Sequence, residues 1–120
     1  MKILIIVIGL MLSISISAQS EKPYFCGQTY DTPTIKINKV KSCNKVIIKK
    51  GEEKISVTKF TLRIPTSKNP NDYKELVAEG DEFTKQMKKE IDKMEIGDQL
   101  MIYQITSDRV VGGLSFKIIK

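Results

Sequence analysis

The sequence predicts a mainly β, sandwich-like domain with a single amphipathic helix inserted before its last two strands. Three observations carry this expectation. Short stretches of alternating apolar and polar residues recur from Thr34 to Ile119, clusters of turn formers separate them, and only Phe83 to Met94 repeats its apolar residues at a helical period.

The elements follow in order. Thr34 to Asn38 alternates and reads as a half-buried strand, introduced by the turn signal Asp31-Thr32-Pro33. Asn44 to Lys50 carries the β-branched run Val46, Ile47 and Ile48 and ends at Gly51. Ile55 to Ile64 is the longest strand candidate. Its apolar series Ile55, Val57 slips by one residue at Thr58-Lys59 before continuing as Phe60, Leu62, Ile64, which predicts a β-bulge, and Pro65 closes it. Thr66 to Asp72 consists of turn formers and is an exposed loop, and Tyr73 to Ala78 is a shorter strand ended by Glu79-Gly80.

Phe83, Met87, Ile91 and Met94 make one apolar helical stripe, with Thr84 placed to cap the free amides and Gly97 to stop the helix in a left-handed turn. Gln99 to Thr106, with Leu100, Met101, Ile102, Tyr103 and Ile105, is nearly continuous in apolar character, as expected of a central strand buried on both faces. Ser107-Asp108 turns the chain into a last strand over Arg109 to Lys120, where Leu114, Phe116 and Ile118 alternate with Ser115 and Lys117. The pair Gly112-Gly113 marks a bulge or bend. The expected map is six strands and one helix.

The N-terminus reads as an address. Met1-Lys2 precedes an apolar run, Ile3 to Leu12, and the small-residue stretch Ser13 to Ala18, the pattern of a secretory signal peptide cleaved after Ala18. A membrane span needs roughly 20 apolar residues, and this run stops short, so no stable span is expected after cleavage. Residues 1–18 are then a signal peptide and residues 19–120 one domain, periplasmic or secreted. In an oxidising compartment two cysteines are most simply paired, and Cys26 and Cys43 are the expected disulfide. Redox or metal pairs normally show the Cys-x-x-Cys spacing, which is not found here.

Composition narrows the chemistry. With 120 residues, two Cys and no His, the chain has neither an imidazole base nor the ligands for a four-thiolate zinc site. Ser42-x-x-Lys45 and Ser56-x-x-Lys59 match a serine–lysine nucleophile spacing, but neither falls on an expected helix. The acids Glu79, Asp81 and Glu82 lack the alternating ligands of a calcium loop and precede a helix, whose dipole favours them. No catalytic residue, cofactor or metal site is expected.

Charge is uneven. Residues 51–120 hold twelve basic and twelve acidic side chains, whereas residues 19–50 hold seven lysines against only Glu21 and Asp31. Lys36, Lys39, Lys41, Lys45, Lys49 and Lys50 therefore form a candidate basic interaction face for anionic head groups or an acidic protein. The competing reading is that outward lysines keep early strands soluble and discourage edge pairing. Nucleic acid is a poor fit, since Arg63 and Arg109 are the only arginines and base reading favours Arg.

The run Val57-x-x-Phe60-x-Leu62, Gly80-x-x-Phe83-Thr84, the charged helix to Met94, Gly97-Asp98 and Met101 to Ile105 resembles the C-terminal domain of the GldM/PorM family of gliding-motility and type IX secretion subunits. The resemblance covers about the last 65 residues, Ile55 to Lys120. It implies an immunoglobulin-like β-sandwich variant, pairing as a homodimer, and contact with an envelope or secreted protein partner. It brings no catalytic residue. Members of that family carry a transmembrane helix and further domains ahead of this one, so coupling to an inner-membrane motor does not transfer.

The expected function is thus a non-catalytic exported protein-binding or structural module of the cell envelope, linked to gliding motility or type IX secretion. The second expectation is a small secreted inhibitor, or an anionic lipid or glycan binder acting through the basic N-terminal strands. Closing the Cys26–Cys43 loop should stabilise the fold by about 3 kcal/mol in the chain-entropy account. Cys43→Ser should therefore lower the melting temperature under oxidising conditions, and an unchanged value would count against the bridge.

Overall fold

A computed structural model describes residues 20–69 and 71–120. The expected signal peptide lies outside the described residues. The chain is mainly β: β1 (Glu21–Phe25), β2 (Thr34–Lys36), α1 (Ile37–Ser42), β3 (Val46–Lys50), β4 (Glu53–Ile55), β5 (Lys59–Pro65), β6 (Tyr73–Ala78), α2 (Lys85–Asp92), β7 (Gln99–Thr106) and β8 (Val110–Ile119). They form a three-stranded sheet in the order β1-β3-β4 and a five-stranded sheet in the order β2-β8-β7-β5-β6. All pairings are antiparallel except β2 with β8.

Alternation decides which face of the larger sheet is buried. Phe60, Leu62 and Ile64 of β5, Leu100 and Ile102 of β7, and Leu114, Phe116 and Ile118 of β8 all point to one side and are essentially inaccessible to water. Against them pack Phe25, Val46 and Ile48 from the smaller sheet, Val40 from α1, and Phe83, Met87, Ile91 and Met94 of the helical stripe. The other face of the five-stranded sheet carries no covering layer from the described residues.

The junction between the layers is Phe83. Its ring stacks on Phe25 at 5.3 Å between centroids, with 9° between planes, and meets Phe60 at 5.6 Å. The backbone fixes it there: Phe83 N–H donates to Asn44 O at 2.8 Å, and Val46 N–H donates to Asp81 O at 2.8 Å. One residue later Thr84 Oγ1 accepts from Met87 N–H, the capping bond that starts α2.

Several expectations are corrected. Eight strands and two helices are found among the described residues. The strand at Thr34 ends at Lys36, and Ile37 and Val40, three residues apart, turn inward on α1 instead. β1 is an additional strand; its Pro23 has no N–H to donate and is tolerated because β1 is an edge strand. The phase slip at Thr58 is more than a bulge. There the chain leaves the small sheet after β4 and enters the large sheet as β5, with Thr58 N–H and Oγ1 both donating to Thr106 O. A register shift does persist between Lys59 and Thr61, and the longest strand is β8.

β7 is central in its sheet, but it is not buried on both faces. Leu100, Ile102 and Ile105 point inward, while Met101 and Tyr103 are half-buried on the open side. The step from Ile102 to Ile105 is absorbed by a bulge at Gln104, which takes φ 50°, with Gly112 opposite Ile105. Gly113 is favoured for a different reason: a Cβ there would lie 3.1 Å from Tyr103 Cβ and 3.2 Å from Ile102 O, closer than ordinary packing. Gly97 does not stop the helix. α2 ends at Asp92; Gly97 does take the expected left-handed backbone, φ 100°, but in the turn leading to β7, where its N–H donates to Ile118 O at 2.8 Å.

Cys26 and Cys43 are bonded as a disulfide, Cα atoms 5.8 Å apart. Cys26 and Gly27 both have positive φ (54° and 75°), and Phe25 and Gln28 exchange two backbone hydrogen bonds of 2.9 Å. This is a two-residue turn of the type that demands left-handed residues at both centres. The disulfide ties this turn to the residue between α1 and β3, one position before Asn44.

Phe83→Ala should destabilise the fold by about 3–5 kcal/mol, the range for emptying an aromatic core site. Chemical denaturation would read it as a lower midpoint with an unchanged slope. Phe83→Leu, which keeps most of the volume, should lose well under half as much.

Candidate functional site

The expected basic face does not form one patch. Lys36, Lys39 and Lys41 lie on β2 and α1, beside the edge of the large sheet, and all are exposed. Lys41 Nζ donates to Asp92 O at 3.3 Å, which ties α1 to the end of α2. Lys45 faces Asp81 at 3.7 Å. Lys49 and Lys50, adjacent on β3, point to opposite sides of the small sheet. Lys50 stands in register between acids, opposite Glu21 on one strand and Glu53 on the other. Lys49 stands between lysines, opposite Lys22 and Lys54.

The acids Glu79, Asp81 and Glu82 are also used differently from the expectation. None lies in the first turn of α2. Asp81 holds Lys45 with its side chain and Val46 with its carbonyl, so this segment acts as a clasp on the start of β3.

Neither serine–lysine match makes a dyad. Ser42 Oγ donates to Lys39 O at 3.0 Å, and Lys45 has Asp81 as its partner. Ser56 lies in the crossing between sheets. No group of three or more Cys, Asp or Glu residues that could hold a metal ion occurs among the described residues.

Two recesses adjoin α2. One, of about 260 Å³, lies between the helices and includes Val40, Ser42, Lys88 and Asp92. The other, of about 380 Å³, lies where β5 and β6 meet α2, with Lys74, Glu90, Lys93 and Asp98 on its walls. Three of these charges pair: Glu90, only 15% exposed, accepts from Lys74 Nζ at 2.7 Å and faces Lys93 at 3.7 Å, while Asp98 Oδ2 accepts from Glu95 N–H. The hydrogen bond from Lys74 holds the Glu90 carboxyl below its ordinary pKa despite its burial. This ion pair joins β6 to the helix.

The most organised polar cluster lies on the open face of the large sheet. Cross-strand register sets Arg63 opposite Glu75 on β6 and Met101 on β7, and Thr61 opposite Val77 and Tyr103. The Arg63 guanidinium stacks over the Tyr73 ring at 3.7 Å and lies 5.6 Å from that of Tyr103. Glu75 approaches Arg63 Nη2 at 3.6 Å, longer than a hydrogen bond, so this pair leaves guanidinium donors unused. Arg63 Nε is buried without a hydrogen-bond partner, which marks a side chain held by stacking more than by polar contacts. Burial, and then the Glu75 carboxylate, push the Tyr103 hydroxyl above its ordinary pKa.

Tyr73 and Val77 complete this face at 42% and 50% exposed. None of these residues is among the interaction residues expected from sequence. The cluster's signal was present as Arg63, Tyr73, Glu75 and Tyr103 at alternate positions of three strands, but which strands are neighbours is set by topology.

No family model, curated protein or solved structure matches the chain. No helix among the described residues is long and apolar enough to cross a membrane.

The Glu90–Lys74 pair yields a pH test. A carboxyl with a depressed pKa in the folded state adds stability above its unfolded value, about pH 4.3. That contribution is lost as pH falls through the lower folded value. Glu90→Gln should therefore cost about 1 kcal/mol at pH 7. The gap between wild type and variant should close below about pH 4, as read from urea midpoints across the range.

Proposed function

We propose that this chain is an exported, non-catalytic binding module of the cell envelope, and that its contact surface for a protein partner is the open face of the five-stranded sheet. The observation that carries this reading is the Arg63 guanidinium clamped between Tyr73 and Tyr103 beside Glu75. Tyrosine, arginine and methionine are the side chains that interfaces concentrate, and the dominant contacts come from Tyr and Arg anchors held in one geometry before binding. Here Met101, Tyr73, Arg63 and Tyr103 stand together on a rigid sheet. A partner would lay an apolar residue against Tyr73 and Val77 and offer a carboxylate or a main-chain carbonyl to the unused Arg63 donors.

Export is supported by the signal-peptide pattern of the sequence and by the disulfide, which suits an oxidising compartment. Within the same reading the fold is an immunoglobulin-like sandwich variant, and the partner belongs to the gliding or type IX secretion machinery. The support is the resemblance over Ile55 to Lys120, whose elements β5, β6, α2, β7 and β8 follow in the order the motif requires.

The test is cross-linking of the protein to envelope proteins of the native cell, followed by affinity measurement with the partner so identified. Tyr73→Ala should weaken binding roughly 30-fold, the loss of one anchor worth about 2 kcal/mol. Because Tyr73 is 42% exposed, the melting temperature should change little. Cross-links confined to surfaces away from β5, β6 and β7, or an affinity indifferent to both Tyr73→Ala and Arg63→Ala, would reject the reading.

A further inference from the structure

The outward side of the small sheet is a second, chemically distinct surface. Antiparallel register places Lys22 of β1 directly opposite Lys49 of β3, and Lys49 directly opposite Lys54 of β4. Three lysines therefore form one row across three strands, their backbones about 4.8 Å apart. Like charges directly opposite one another destabilise a sheet. The neighbouring row on the inward side has no such conflict, since Lys50 lies between Glu21 and Glu53. None of the ion pairs among the described residues engages Lys22, Lys49 or Lys54.

Aromatic rings accompany the row. Lys49 Nζ lies 5.4 Å from the centroid of Tyr24, its diagonal neighbour on the same face, and Lys22 Nζ lies 5.9 Å from that of Tyr30, which is 58% exposed. Beside Lys54 and Ile47 a shallow recess of about 210 Å³ opens, and its one acid, Asp81, is engaged by Lys45.

We propose that this face binds a linear acidic polysaccharide. Charge complementarity requires an anion, and the form of the site narrows which one. A single file of lysines, one from each strand, suits a chain bearing one carboxylate per sugar better than the two-dimensional charge of a bilayer. Tyr24 and Tyr30 offer ring faces on which the C–H face of a sugar can stack. Membrane binding would draw on exposed apolar side chains for insertion, and of the large exposed hydrophobics only Tyr30 adjoins the row. The repulsion between the lysines is relieved when the polyanion neutralises them, so a sheet that gains nothing from the row alone gains from the occupied row. This inference concerns a different surface from the protein-binding face and stands or falls separately.

The test uses the oxidised protein and oligogalacturonate, with neutral dextran and phosphatidylglycerol vesicles as comparison arms, at low ionic strength. Oligogalacturonate should bind and raise the melting temperature, and neutral dextran should do neither. Replacing Lys22, Lys49 and Lys54 together by Gln should weaken binding roughly 100-fold, at about fivefold per lysine facing an anionic array. That variant should melt no lower than wild type, because it removes a repulsion. Replacing Lys85, Lys88 and Lys89 of α2 by Gln alters net charge equally and should leave binding intact. Equal losses in the two triple variants, failure of wild type to bind oligogalacturonate, or row-dependent binding to the vesicles alone would each overturn the proposal.

Discussion

The placement of Phe83 is the constraint on which the rest depends. The ring touches both sheets, through Phe25 on one and Phe60 on the other, and its own backbone is hydrogen-bonded to Asn44, two residues before β3. Directly after it Thr84 begins the helix whose Met87 and Ile91 fill the remaining space above the large sheet. Sheet, sheet and helix thus share one residue. The disulfide acts on the same spot from the outside, linking the turn after Phe25 to the residue before Asn44. Its loop-closing effect works on the unfolded chain, while the aromatic contacts work on the folded one, so the two contributions reinforce the same junction by separate routes.

This arrangement also explains why both functional surfaces lie on sheet faces. The apolar side chains are consumed by a core between two unequal sheets and two short helices. That leaves the outward side of each sheet free, and alternation along the strands sends every second residue there. The large sheet presents arginine between tyrosines and the small one presents lysines in file. The sheets supply a rigid backing for both, since register fixes the cross-strand neighbours of each side chain.

Much of the fold was legible because it is written locally. The capping threonine and the stripe Phe83, Met87, Ile91, Met94 need only spacing to be read, and so does the alternation of Leu114, Phe116 and Ile118. What failed was non-local or short. α1 is six residues long and follows a three-residue strand, too little chain for either period to declare itself. β1 was masked by Pro23, which reads as a breaker unless the strand is known to lie at an edge. The slip at Thr58 was visible, but a slip in phase looks the same whether a strand bulges or crosses from one sheet to another. Gly97 has the left-handed backbone its position suggests, but the helix has already ended at Asp92, and the hydrogen bond to Ile118 binds Gly97 to the last strand.

The basic face shows the same limit in a form that bears on function. Counting lysines along the chain located the positive excess correctly but grouped Lys49 with Lys50, which a strand must send to opposite sides. Lys50 then meets acids and Lys49 meets lysines, and the difference depends wholly on a register fixed elsewhere. Edge protection is the bland account of outward lysines, and it serves Lys22 and Lys54, which lie on the two outer strands of the small sheet. It does not serve Lys49, which lies on the central strand, where there is no edge to guard. A lysine kept between two others at that position is therefore the point at which solubility stops being a sufficient explanation and an anionic ligand becomes the more economical one.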